Sequence, residues 1–353
     1  MNLHLLVPTL LWPEASPPGI YRDLPLPALE TLLAKSVSTE SEPQGMETWL
    51  CRAFGVKKQH DWPVAPITLA ADGAGNVIAG NDYWLRADPI HLRIERGQIV
   101  LADSQVFRIS PEEVEEFTGL LNRHFASNNL AFLPLRPDRW YLRLSATPAL
   151  QTHPLSQVTG KNINHLLPSG ADGMAWHGIF NEIQMLLHEH PLNQAREARG
   201  EPAINSVWFW GGGIMPLTVN SSYAKVWSDD VFSRSLALAS NTDSADLPPS
   251  AAAWLQSAAS DNLAGKHLVV LDSLCGKAQY GDAYGWRKGL QELERNWFAP
   301  LLAALKLGHL DQLSITVIGD GEHGTRNFTL SRDDLWKFWR ASRSFSTYAL
   351  RAS

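Results

Sequence analysis

Apolar and polar positions change period several times along the chain, and each change marks an element. The short run Leu3 to Val7 reads as a buried strand. Pro25 and Pro27 break the chain ahead of Leu29, Leu32 and Leu33, whose helical spacing predicts a first helix over Pro27 to Ala34. Ser36 to Gly45 is polar and turn-rich and predicts a loop. Met46 to Phe54 has helical spacing and stops at Gly55, a residue suited to the left-handed turn that ends helices. Val64 to Ala70 reads as a strand, followed by a hairpin-like turn at Asp72-Gly73-Ala74-Gly75-Asn76.

Further on, Trp84 to Leu92 and Gln98 to Leu101 predict antiparallel strands separated by Arg96-Gly97. Ser110-Pro111-Glu112-Glu113 is a capping box with proline at the first helical position, and Val114, Phe117, Leu120, Leu121 and Phe125 follow at helical spacing. A strand over Arg139 to Leu144 comes next. Met174, Ile179, Phe180, Ile183, Leu186 and Leu187 then mark a long helix that stops near Pro191. This β-β-α-β-α stretch, roughly 84 to 198, reads as a self-contained α+β unit. The last third alternates as doubly wound α/β chains do: strand 205–210, helix near Tyr223 to Ser228, strand 267–272, helix from 286 to about Pro300, strand 313–318, and a helix begun by Ser331. Asn241 to Ser250 has no period and predicts a surface loop.

Composition narrows the class of partner. At 353 residues and 44% hydrophobic, the chain can bury one large core or two smaller ones. Charged residues are 19% and the net charge is −6, with no Lys/Arg cluster, so neither nucleic acid nor a membrane is an expected partner. Cys51 and Cys275 are the two cysteines and lie far apart, which predicts reduced, buried thiols and no disulfide framework. Met1 to Pro8 lacks a basic leader and breaks after a brief apolar run, so a cytoplasmic protein is expected. Fourteen tryptophans are spread from Trp12 to Trp339, a distribution that suits the core better than a stacking platform.

Candidate chemistry sits at strand ends, because α/β sheets bind ligands beyond the carboxyl ends of their strands. Asp272 follows Leu-Val-Val-Leu, Asp282 lies in Tyr-Gly-Asp, and Asp320 precedes Gly321-Glu322-His323. Asp320, Glu322 and His323 are chemically able to hold a divalent metal, and equally able to form a solvated Asp-Gly turn. Asn205 to Gly213 is an apolar run ending in three glycines, which suits either close packing of a strand under a crossover or a turn that wraps a ligand. His188 and His190 fall on nearly opposite faces of one helix end and cannot chelate together; helix-end charge stabilisation is their expected role. No nucleophile elbow, phosphate loop, Cys-x-x-Cys pair or dinucleotide fingerprint is present, which excludes the common hydrolase, ATPase and dehydrogenase plans.

Several of these stretches resemble cofactor-independent phosphoglycerate mutases of the archaeal type, in the alkaline phosphatase superfamily. The matching residues are Asn181-Glu182-Ile183 through His190-Pro191-Leu192-Asn193, Arg196 to Gly200, and Pro202 to Gly211 with its Trp208-Phe209-Trp210-Gly211; a weaker match is Leu26-Pro27-Ala28-Leu29-Glu30. The chain is also similar to bacterial proteins called regulators of pathogenicity factors. The resemblance implies an alkaline-phosphatase-like α/β core over residues 1–83 and 199–353, with an α+β lid inserted at 84–198.

The family uses two divalent metals and a serine nucleophile, and this chain departs from that set. Val7-Pro8-Thr9-Leu10 stands where the family has an Asp-Gly turn, the serine falls near Met46 with Thr48 the nearest hydroxyl, and Cys275 and Gln279 replace an acid and a histidine. Gly321 replaces the histidine after Asp320, whereas Gly281-Asp282 persists. Losing such ligands removes nucleophile activation and charge stabilisation. The expectation is a degenerate phosphoglycerate-mutase-like protein, cofactor-free, that binds a small anionic or phosphorylated metabolite through Trp210, Gly211, Gly212 and Asp282 in a regulatory role. The competing expectation is a phosphomutase or phosphatase holding Mn, Zn or Mg through Asp272, Asp282, Asp320, Glu322 and His323, with Thr48 as its candidate nucleophile.

Overall fold

In the computed structural model, which describes residues 1–13, 17, 19–260, 265–318 and 324–350, the apolar run at the start is strand β1 (Asn2–Pro8). The twelve strands continue as β2 (Val37–Ser41), β3 (Tyr83–Glu95), β4 (Gln98–Ala102), β5 (Ala131–Arg136), β6 (Arg139–Leu144), β7 (Ser206–Gly213), β8 (Lys225–Trp227), β9 (Asp243–Ala245), β10 (Lys266–Val270), β11 (Gln312–Ile318) and β12 (Thr325–Ser331). The chain divides into two units, Met1–Phe54 with Asn220–Ser353, and Gly55–Val219.

The first unit carries a seven-stranded sheet in the order β2-β12-β11-β1-β10-β8-β9. Neighbours from β11 through β9 are parallel, and β12 is antiparallel to both β11 and β2. Strand β1 is central because Leu3, Leu5, Leu6 and Val7 are all buried, as a strand covered on both faces requires. Around it packs one cluster that includes Trp12, Trp254, Trp286 and Trp297. The tryptophan expectation holds: eleven of the fourteen are buried, and Trp336 and Trp339 are the exposed pair.

The second unit is a five-stranded antiparallel sheet, β4-β3-β6-β5 with β7 on the other edge of β3. It contains the helix Pro111–His124, whose capping box forms as its sequence predicts: Ser110 Oγ accepts from Glu113 N at 3.2 Å, and the Glu113 carboxylate accepts from Ser110 N at 3.0 Å. The long helix Gly173–His188 is also present.

The division differs from the one expected at residues 84 and 198. Val64 to Ala70 is a helix (Val64–Asp72), and it packs on β3 and β7 inside the second unit. An unbroken apolar run satisfies a buried helix as well as a buried strand, so its period could not decide. Strand β7 pairs with β3 from Trp84↔Gly213 to Ile90↔Ser206, which retains it in the second unit; it does not re-enter the α/β core.

Other local expectations are corrected by capping and edge pairing. Lys225–Trp227 is a strand, and the helix begins only at Val231, where Asp230 accepts Ser233 N at 2.7 Å. Ser331 ends β12, and its N–H and hydroxyl donate to Asp334 in a 3₁₀ turn. Parts of the two expected loops are edge strands, β2 and β9. His188 lies in the last turn of Gly173–His188 as expected, whereas His190 caps a separate helix, Pro191–Ala198, by accepting Leu192 N at 3.2 Å.

Candidate functional site at the carboxyl edge of the sheet

Strands β1, β10 and β8 are parallel, so the residues that follow them gather at one edge: Thr9, Asp272 with Cys275, and Asp229 with Asp230. A parallel sheet exposes its ligand-binding crevice at such an edge. Thr9 has φ 55°, a left-handed conformation that a β-branched residue adopts only under constraint. Two bonds hold it there. Its hydroxyl donates to Pro8 O at 2.7 Å, and Trp286 Nε1 donates to Thr9 O at 2.9 Å.

The Thr9 oxygen lies 3.8 Å from Cys275 Sγ. Burial, reinforced by Asp272, pushes the Cys275 thiol well above its ordinary range, so it is a neutral S–H. The carboxyl of Asp272 is pushed up to about 6, first by burial and then by the charges of Asp230 and Asp229. Asp230 and Asp229 have architectural partners too: Asp230 caps the helix Val231–Ala239, and Asp229 accepts Leu247 N at 3.0 Å.

Thr48 lies half-buried in the first turn of the helix Met46–Ala53, next to the buried Glu47. The Glu47 charge also acts on Cys275, which places it in the field of this edge. Asp282 lies elsewhere in the unit as the N-cap of the helix Ala283–Leu293, accepting Gly285 N at 2.8 Å. That same helix supplies Trp286 to Thr9.

Trp210, Gly211 and Gly212 belong to the second unit, in β7, and are not brought to this edge by the first unit's fold. Trp210 Nε1 donates to Asp88 Oδ2 at 2.8 Å, and the Arg86 guanidinium lies 5.2 Å from its ring centroid. A Cβ on Gly211 would come within 2.9 Å of the Val64 side chain, and one on Gly212 within 2.3 Å of the Tyr83 hydroxyl. The close-packing reading of the glycines is what the structure displays at these positions.

Asp320, Glu322 and His323 lie outside the described residues. Among the described residues, no three of His, Cys, Asp and Glu are grouped so as to hold a metal ion. Thr9 brings a hydroxyl to the end of β1, and Asp272 and Cys275 bring a carboxyl and a thiol to the end of β10; a two-metal phosphoryl-transfer centre would draw on anionic ligands at these places. Glu47, Asp229 and Asp230 were not legible as site residues, and Thr9 was singled out only through the resemblance; the one local signal for the acids was the Ser228-Asp229-Asp230 step after a short apolar run.

No family model matches the chain. It is 29% identical over 150 residues to a 2,3-bisphosphoglycerate-independent phosphoglycerate mutase of Methanosarcina barkeri, covering 42% of this chain and 37% of that protein. It is 28% identical over 190 residues to the protein of the same name from Methanosarcina acetivorans, covering 53% and 46%. The chain thus matches less than half the length of these relatives. Among solved structures, a Pyrococcus horikoshii protein superposes with TM-score 0.54 at 12% identity, over 94% of this chain and 87% of that one. The cofactor-independent phosphoglycerate mutase of Thermoplasma acidophilum gives 0.50 at 15% identity, over 99% and 94%. Among the described residues no helix is long and apolar enough to cross a membrane. The chain is thus similar in sequence, over about half its length, to proteins named 2,3-bisphosphoglycerate-independent phosphoglycerate mutase, and over nearly all of its length it shares the α/β fold of a cofactor-independent phosphoglycerate mutase.

Proposed function

We propose that this is a phosphoglycerate-mutase-like protein of the cytoplasm that binds a small phosphorylated metabolite and does not transfer its phosphoryl group. The observation that supports this reading is the pair that follows the two central strands, the Thr9 hydroxyl against the neutral Cys275 thiol. A threonine hydroxyl is a poor metal ligand, and Thr48 has no base or metal assigned to activate it. The kinship with regulators of pathogenicity factors is part of the same proposal, with ligand occupancy as the regulated variable.

The acids at this edge constrain how an anion could bind there. Asp229, Asp230 and Asp272 repel a bare phosphate at neutral pH, so the ligand would enter with Asp272 protonated or with Mg²⁺ between carboxylate and phosphate. One or two carboxylates plus ligand phosphates suffice for Mg²⁺. The second reading, a metal-dependent phosphomutase or phosphatase, is favoured by the names of the curated relatives and by the raised carboxyl of Asp272.

One assay separates the two. Incubation with 3-phosphoglycerate and either Mn²⁺ or Mg²⁺ is expected to give binding in calorimetry and no 2-phosphoglycerate or free phosphate. Turnover that disappears in Asp272→Ala would refute the non-catalytic reading.

A further inference from the structure

A second cleft, in the same unit, carries charge of the opposite sign. It encloses about 670 Å³ between the start of β12, strand β2 and the segment 339–348. Among the described residues its charged lining is three arginines, Arg326, Arg340 and Arg343, against one acid, Glu40. That local excess of two positive charges stands out on a chain whose net charge is −6. Phe328 and Trp339 form its apolar walls.

Two of the arginines are held in place from behind. Arg326 is buried, and its Nη1 donates to the carbonyl of Tyr348 while Nε lies 3.7 Å from Glu40 Oε1. Arg340 Nη1 donates to Ser36 O at 2.6 Å and also faces Lys35 O at 3.3 Å. A guanidinium has five N–H donors, so these anchors leave donors over on both residues while removing much of their rotamer freedom. Arg343 is exposed and forms no hydrogen bond or ion pair with a described residue. Anchored, planar donors converging with a free one are the arrangement that recognises phosphate oxygens. Beside them, Trp336, Phe338 and Trp339 are 79%, 85% and 67% exposed, an uncovered aromatic surface on the same segment.

We propose that this cleft is a binding site for a phosphoryl group carried by a molecule with an apolar portion, with Arg326, Arg340 and Arg343 holding the phosphoryl oxygens and Trp339 lying against the apolar part. Asp229, Asp230 and Asp272 do not line this cleft, and the proposal stands whether or not the carboxyl edge binds a metabolite.

The full chain is titrated calorimetrically with inorganic pyrophosphate and, in a second arm, mixed with phosphatidylcholine vesicles with and without phosphatidic acid. Saturable pyrophosphate binding, or vesicle binding that requires phosphatidic acid, is the expected result; the first identifies a free ligand and the second a lipid headgroup. Arg343→Ala is expected to weaken the interaction about tenfold, as loss of one charge-assisted contact does. Arg340→Gln, which retains a donor for Ser36 O, should add to it. Asp272→Asn and Thr48→Ala should leave it unchanged. Absence of both interactions overturns the proposal, as does an affinity unaltered by Arg343→Ala combined with Arg340→Gln in a protein whose melting temperature is unchanged. A loss caused by Asp272→Asn would move the phosphate to the carboxyl edge and overturn it also.

Discussion

Two groups of polar residues, one in each unit, solve burial in opposite ways. In the second unit, Arg86 donates to Asp88 Oδ1 from Nε and Nη2 at 2.9 and 2.7 Å, and Trp210 completes the carboxylate at Oδ2. The guanidinium lies 5.3 and 5.2 Å from the Tyr141 and Trp210 ring centroids. Next to it, Asp72 binds Arg139 through two bonds of 2.8 and 3.0 Å and accepts the Tyr141 hydroxyl at 2.7 Å. Every charge there meets its opposite. At the carboxyl edge of the first unit, Asp272 instead faces Asp229 and Asp230, and among the described residues no cation lowers its carboxyl. A closed network specifies architecture; an open group of like charges costs stability and persists where something else can bind.

The contrast is sharpest if removing an acid has opposite effects in the two places. Asp88→Ala strands the buried Arg86 and is expected to cost about 3–5 kcal/mol, the usual loss when one partner of a buried pair is removed. Equilibrium denaturation would read it, and a loss below about 1 kcal/mol would break the comparison. Gly212→Ala places a Cβ against the Tyr83 hydroxyl, a contact of 2.3 Å, and should cost about 1–3 kcal/mol by overpacking. Because the Tyr83 hydroxyl has no hydrogen-bond partner among the described residues, Tyr83→Phe should recover part of that loss in the double variant.

Asp272→Asn should move stability the other way, upward by about 3 kcal/mol at most at pH 7. The sign follows from a folded-state carboxyl raised from 3.8 to about 6. Below about pH 4 both states are protonated and the substitution is neutral; the wild-type penalty grows between pH 4 and 6 and is complete above it. Melting temperatures of the two proteins should therefore converge as pH falls. Divergence on acidification would remove the distinction between open and closed networks.

Elements with a strong local signature were legible in the chain: the capping box at Ser110, the helical spacing of Gly173–His188, and the apolar strands β1 and β11. Elements decided by neighbours were not. Lys225–Trp227 is three residues long and is a strand because β9 and β10 flank it. The helix Val64–Asp72 buries every residue from Val64 to Leu69, so no one-sided period separates it from a buried strand. At the site, Asp272 was legible because an acid after a buried run marks a strand end. Glu47, Asp229 and Asp230 come from remote segments, and only the strand order places them in one field.

By itself, the sequence determined the α/β class, the capping and periodicity of the longer helices, and the burial of most tryptophans. Each is a local property of residue type and spacing. Tertiary structure alone decided that β7 belongs to the sheet of β3, that Gly211 and Gly212 are filled by Val64 and Tyr83, and that Cys275 meets Thr9 across 266 positions of chain. Those outcomes depend on which strands become neighbours, and side-chain period carries no information about partners distant in sequence.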